Sequence, residues 1–233
     1  MTNSTFPSRL TDGYKAFLGD RFARERQRYE TLAKGQSPEI MVIGCCDSRV
    51  SPEVIFDASP GELFVVRNVA NLVPPYETGG EYHGTSAALE FAVQALKVKH
   101  IVILGHASCG GIRAFADESA PLSPGDFIGR WMNLITPAAE RLGPRTGSLD
   151  EYVTQLEFAA IENSLRNLMT FPCVRLLVER GRLQLHSAYF GVVDGGADDP
   201  ESGVGTLRAC HRCGAGPGLD DTLRVTCILS LSP

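Results

Sequence analysis

The chain reads as an α/β protein, a mostly parallel central sheet flanked by helices, with an N-terminal helical arm. Three observations predict this. Two short apolar runs, Ile40-Met41-Val42-Ile43 and the stretch "HIVIL" from His100, each end at a glycine and are followed at once by reactive side chains. Helical periodicities lie between the apolar runs, and strands alternating with helices imply parallel pairing with helices on the sheet faces. Ahead of all of them, Leu10, Tyr14, Phe17, Leu18, Phe22, Tyr29 and Leu32 recur at helical spacing among many charges.

Taken in order, residues 10–34 predict a helical arm with one apolar and one solvated face. The Ile40–Ile43 run is a buried strand ended by Gly44, and "ELFVVR" (62–67) is a second. "EYHGTSAALEFAVQALKV" (81–98) is a helix apolar on most sides and is expected to be buried. "HIVILGHASCGG" (100–111) repeats the grammar of the first strand. Helical patterns follow near 126–142, 149–170 and 172–180, and "LQLHSAYFGVV" (183–193) closes the sheet. The remainder is rich in glycine and acid with little periodicity. The expected division is an arm over 1–35, an α/β domain over 36–193 and a weakly specified tail over 194–233.

Composition narrows the function. A chain of 233 residues, 43% hydrophobic and 21% charged, suits one globular domain with a sizeable core, with two small domains as the alternative. A net charge of −5 argues against general nucleic-acid binding, which wants a basic face. No apolar run approaches the roughly 18 residues that span a bilayer. The start "MTNSTFPSRLTDGYKAF" lacks the basic and apolar regions of a signal peptide, so the expected location is cytoplasmic. In a reducing compartment the seven cysteines are thiols or metal ligands rather than a disulfide framework.

The two strand ends offer Cys45 or Cys46, Asp47, Arg49, His106 and Cys109. In a parallel sheet both carboxyl ends point the same way, where open α/β sheets bind ligands. Alone, the cysteine pair is more often buried core, and the His-x-x-Cys loop is no more than an even candidate. Together they give two sulfurs and a nitrogen, a donor set that suits zinc and leaves a fourth position for water. Neither strand end carries a glycine-rich phosphate loop, which excludes a nucleotide site of that kind.

The motifs "CCDSR" and "GHASCGG" resemble those of the β-class carbonic anhydrases, Cys-x-Asp-x-Arg followed by His-x-x-Cys. "GELFVVRNVANLVPPY" and "GTSAALEFAV" are similar to the family's plant-type, open-site branch, and the resemblance extends from Gln36 to Gly191. It implies reversible hydration of carbon dioxide to bicarbonate and a proton by zinc-bound hydroxide, with one Zn2+ per subunit on Cys45, His106 and Cys109. The period-two logic of an extended segment agrees, placing Cys45 and Asp47 on one face and Cys46 on the other. Asp47 would aim the hydroxide, and Arg49 would keep Asp47 off the metal. The resemblance further implies an apolar substrate pocket from Gln36, Phe64, Val69 and Phe91, with the Gly110 amide near the substrate oxygens. It also implies a homodimer or a higher even homo-oligomer, such as a tetramer, gripped through the arm. The titrating group placed to carry the proton away is His83, with Tyr76 second.

Two other readings remain open: a related zinc hydrolase on the same scaffold, for example one acting on carbon disulfide, or a non-catalytic zinc or redox-sensing protein using Cys45 and Cys46. The last gives Asp47 and Arg49 no role. One branch of the family binds bicarbonate away from the metal through a tryptophan, an arginine and a tyrosine. Here Arg67 matches, but Val42 and Phe190 stand in the other two places and Trp131 lies far along the chain, so the site is expected to stay open. Cys210, His211 and Cys213 lack a second ligand pair and are not expected to form a metal site.

Overall fold

The computed structural model describes residues 6–79, 83–117 and 127–193. The tail over 194–233, with Cys210, His211 and Cys213, lies outside the described residues. The chain divides between Ser37 and Pro38 into two compact units.

The first unit is helical but does not form one helix. Its elements are α1 (Ser8–Gly19), α2 (Arg21–Arg24) and α3 (Arg26–Leu32). The backbone leaves helical geometry at Asp20 (φ −121°, ψ −82°) and again at Glu25 (φ −99°, ψ 11°). These bends bring Phe17, Phe22 and Tyr29 into one cluster, with ring centroids 5.8 Å and 5.1 Å apart for the pairs Phe17–Phe22 and Phe22–Tyr29. Burying rings against each other outweighs the backbone bonds of an uninterrupted helix. Leu10, Tyr14 and Leu18 remain as an exposed apolar stripe.

The second unit is built on a sheet. In chain order it contains β1 (Ile40–Cys45), α4 (Pro52–Ile55), β2 (Leu63–Asn68), a 3-10 turn (Val69–Asn71), α5 (Gly84–Glu90) running into a π-helical turn (Phe91–Leu96), and β3 (His100–His106). It continues with α6 (Gly110–Ala116), α7 (Ile128–Met132), α8 (Thr136–Leu142), α9 (Leu149–Leu168), α10 (Pro172–Glu179) and β4 (Gln184–Phe190). Among the described residues the four strands are all parallel, in the order β2-β1-β3-β4. The apolar runs are continuous because both faces of the central strands are covered. Met41, Ile43, Ile101, Ile103, Leu185 and Tyr189 pack with residues of α5, α9 and α10, while Val42, Leu104 and Ala188 turn to the other face.

Two features fix the sheet beneath the site. Helix α9 opens with a capping box, in which Ser148 accepts from the Glu151 amide and Glu151 reaches back to the Ser148 amide. It then crosses β3 at Gly105, where a Cβ would lie 2.4 Å from Ile161 Cδ1 and 2.8 Å from Ile161 Cγ1. Ile161 is wholly buried. Gly105→Ala is therefore expected to destabilise the protein by about 1–3 kcal/mol, as overpacking of a filled core does; urea unfolding checks this.

The helix expected over 81–98 is not buried on most sides. Thr85, Leu89, Ala92 and Val93 face the core, whereas Ala87, Phe91 and Ala95 are exposed. Apolarity around the whole circumference misled here, since alanines tolerate either face and Phe91 stays 49% exposed. Among the described residues no helix is long and apolar enough to cross a membrane.

Candidate metal centre

Because β1 and β3 are neighbours, with Gly44 opposite Leu104, their carboxyl ends emerge side by side. Cys45 ends β1, His106 ends β3, and the short loop after β3 turns through Ser108 (φ 56°) to deliver Cys109. The ligating atoms of Cys45, His106 and Cys109 all lie within 4.8 Å of one another, and all three residues are buried. Cys46 is exposed, and its amide donates to the Asn68 carbonyl at 2.9 Å, extending the ladder to β2. Extended geometry thus separates the adjacent cysteines as the alternation of faces predicts.

Protonation of the cluster fits a cation. His106 Nδ1 lies 2.9 Å from the Ala107 carbonyl. A carbonyl only accepts, so Nδ1 carries the hydrogen and Nε2 keeps its lone pair. That Nε2 is buried and, among the described residues, has no hydrogen-bond partner of standard geometry. The Cys109 thiol, donating to the Cys45 sulfur, pulls Cys45 down against the effect of burial. The same contact, with burial, pushes Cys109 up. Two buried sulfurs sharing one negative charge, beside an orphaned imidazole nitrogen, are the donor set that a divalent cation completes by deprotonating both.

Asp47 stands at the rim. Arg49 donates to it through Nε to Oδ1 at 2.9 Å, Nη2 to Oδ2 at 2.7 Å and its backbone amide to Oδ1 at 3.0 Å. The Arg49 guanidinium holds the carboxyl well below the usual range, so Asp47 is ionised at ordinary pH. Arg49 Nη2 also reaches the Ser108 carbonyl at 3.1 Å and joins the two ligand loops. The Asp47 amide donates to the Cys45 sulfur at 3.4 Å.

A model of the carbonic anhydrase family matches residues 40–197. This chain belongs to the β-carbonic anhydrase family. It is 36% identical over 195 residues to beta carbonic anhydrase 3 of Arabidopsis thaliana, covering 82% of this chain and 75% of that one. To the chloroplastic beta carbonic anhydrase 5 of the same plant it is 38% identical over 183 residues, covering 78% of this chain and 60% of the relative. The fold matches a crystal structure from a study of two tetrameric beta-carbonic anhydrases of Sordaria macrospora. That match has a TM-score of 0.69 and 32% identity, and covers 81% of this chain and 93% of that one.

Within this β-carbonic anhydrase fold the expected pocket residues are placed unevenly. Phe64 and Phe91 pair with ring centroids 6.0 Å apart. Val69 packs beside the start of α6, where a Cβ on Gly111 would meet its Cγ1 at 3.0 Å, and its carbonyl accepts from Trp131 Nε1 at 2.8 Å. Gly110 follows Cys109 directly and is exposed, while Gln36 is exposed in the first unit. His83 precedes α5 without capping it, and its Nε2 donates to the Gly79 carbonyl at 2.7 Å. Tyr76 packs edge-on against Phe171, and its amide donates to Thr170 Oγ1 at 2.7 Å. Val42 and Phe190 belong to the opposite face of the sheet from Met41 and Ile43, and Val42 is buried there.

Two supporting residues, Glu157 and Asn68, were missed in the sequence, and Arg67 was singled out there only against an anion-site pattern. Glu157, 3% exposed, accepts from the Cys109 amide at 2.8 Å and from the Tyr189 hydroxyl at 2.6 Å. Burial pushes its carboxyl up, against the pull of those two donors. An acid within the apolar stripe Leu156, Ala160, Ile161 was its only sequence signal. Asn68 bonds both the amide and the carbonyl of Leu72, at 2.8 Å each, bracing a turn in which Ala70 and Asn71 take positive φ. Arg67 bonds the chain around Asp47, through Nε to the Cys45 carbonyl and Nη2 to the Asp47 carbonyl.

Proposed function

We propose that this protein catalyses the reversible hydration of carbon dioxide to bicarbonate and a proton at a zinc ion held by Cys45, His106 and Cys109. The observation that carries the reading is the buried Cys-His-Cys cluster with the Asp47–Arg49 pair at its rim. Zinc in such a site acts as a Lewis acid that brings the pKa of water to about 7. Asp47, ionised and without a proton to give, serves as a hydrogen-bond acceptor that orients the attacking oxygen. Arg49 keeps that carboxylate turned from the metal, for which it would otherwise be a competent ligand. Carbon dioxide is small and uncharged, which suits an apolar pocket that Phe64, Val69 and Phe91 would line, with the Gly110 amide as the donor toward its oxygens.

A homo-oligomer is part of the proposal. The Sordaria macrospora proteins are tetrameric, and the Leu10, Tyr14, Leu18 stripe offers the arm's apolar face to a partner subunit.

Carbon dioxide and carbon disulfide offered to the zinc-loaded protein separate the two hydrolytic readings. Fast bicarbonate formation without hydrogen sulfide release is expected. Turnover of carbon disulfide alone would overturn the assignment.

Proton release is assigned to His83, whose Nδ1 is left to accept a proton when Nε2 donates to Gly79. His83→Ala is expected to slow turnover in weak buffer and to recover with added imidazole. Unchanged rates at every buffer strength would remove His83 from the pathway.

A further inference from the structure

The position of Asp47 depends on a backbone that has just left the sheet. Gly44 is the last residue of β1 paired to β3, and on the β2 side the pairing ends with Cys45 opposite Asn68 and the Cys46 amide on the Asn68 carbonyl. Past that point the chain turns, with the Val50 amide donating to the Asp47 carbonyl at 3.0 Å. Ladder bonds no longer tie this turn to the sheet. Arg67 does. Its Cα stands opposite Gly44 on β2, and its side chain runs past the end of the ladder. There Nε donates to the Cys45 carbonyl at 2.8 Å and Nη2 to the Asp47 carbonyl at 2.7 Å.

We propose that Arg67 is a positioning residue, a strut that fixes the backbone from Cys45 to Asp47 and so sets where the Asp47 carboxylate can reach. The role differs from that of Arg49, whose guanidinium grips the Asp47 carboxylate itself. Arg49 fixes a side-chain rotamer; Arg67 fixes the Cα from which that rotamer starts. The planar guanidinium presents its N–H groups in a rigid fork that matches two carbonyls two residues apart, whereas an ammonium is a single point donor on a flexible stem. The guanidinium is also engaged on main-chain oxygens. The strut rests on the carbonic anhydrase reading for its catalytic meaning, but its geometry does not depend on the reaction.

The test compares Arg67→Met, which keeps the stem and removes the fork, with Arg67→Lys, which keeps the charge. Metal per chain, melting temperature, kcat, KM and the visible spectrum of the cobalt-substituted protein are read for each. Both variants are expected to fold and bind one metal. Both should lose about 10–100-fold in kcat with little change in KM, the size of loss seen when the partner that orients a site group is removed. The cobalt spectrum should shift in both, reporting a changed approach of Asp47. Full activity and an unaltered spectrum in Arg67→Met would overturn the strut. Full rescue by lysine would overturn it too, because charge and not the fork would then be the cause. Loss of metal with a lowered melting temperature would assign Arg67 to general stability and reject the specific role. If the parent protein hydrated no carbon dioxide, the proposed function would fail while the cobalt spectra still decided on Arg67.

Discussion

Cys45→Ser is expected to abolish zinc binding and to reduce carbon dioxide hydration to the uncatalysed background, whereas Cys46→Ser is expected to leave both intact. The two sulfurs differ by one position in the chain and by everything in their surroundings. Cys45 is 5% exposed, lies beside Cys109 and His106, and has its thiol pulled below the ordinary range by the Cys109 thiol. Serine there offers a hydroxyl that does not ionise near neutrality, and it buries a polar group at a cost of about 1–3 kcal/mol if unpaired. Cys46 is exposed, and its backbone amide is engaged on the Asn68 carbonyl. Elemental analysis and stopped-flow rates on the two variants check this. Zinc retained in Cys45→Ser would contradict the ligand assignment.

Arg49→Ala is expected to keep the metal and to lose most of the turnover. The substitution removes both guanidinium bonds to Asp47 and the bond to the Ser108 carbonyl. The freed carboxylate would then compete for the position that water needs. A fall of about 10–100-fold in kcat is expected, with metal content unchanged. The pH dependence follows from the sign of the shift. Asp47 is depressed in the folded protein, so its contribution to stability is present above the ordinary carboxylate pKa of about 4 and is lost as pH falls toward the folded value. The stability difference between parent and Arg49→Ala should therefore narrow in strong acid. Wild-type turnover in the variant would reject Arg49 as the keeper of Asp47.

The sheet was legible because strands covered on both faces must be apolar throughout, so Ile40–Ile43 and the run after His100 stand out without alignment. The metal cluster was legible for a related reason. Reactive residues just past two such runs have one place to go in a parallel sheet, and Cys45, His106 and Cys109 do converge. What failed to show in the sequence depends on contacts between distant segments. Arg67 and Glu157 act on main-chain groups of Cys45, Asp47 and Cys109, and carbonyl and amide partners leave no trace in residue type. The breaks at Asp20 and Glu25 follow from aromatic packing of Phe17, Phe22 and Tyr29, which helical periodicity alone does not encode. Phe91 looked buried because its neighbours are alanines, and only the packed helix shows which stripe faces the core.

Stopped-flow hydration of carbon dioxide, followed with a pH indicator while zinc is titrated into chelator-stripped protein, tests the central claim most directly. The rate should rise in proportion to bound zinc, reach its plateau at one zinc per chain and fall to background when the chelator is restored. Protein carrying one zinc per chain on Cys45, His106 and Cys109, with no rate above that of buffer, would contradict it.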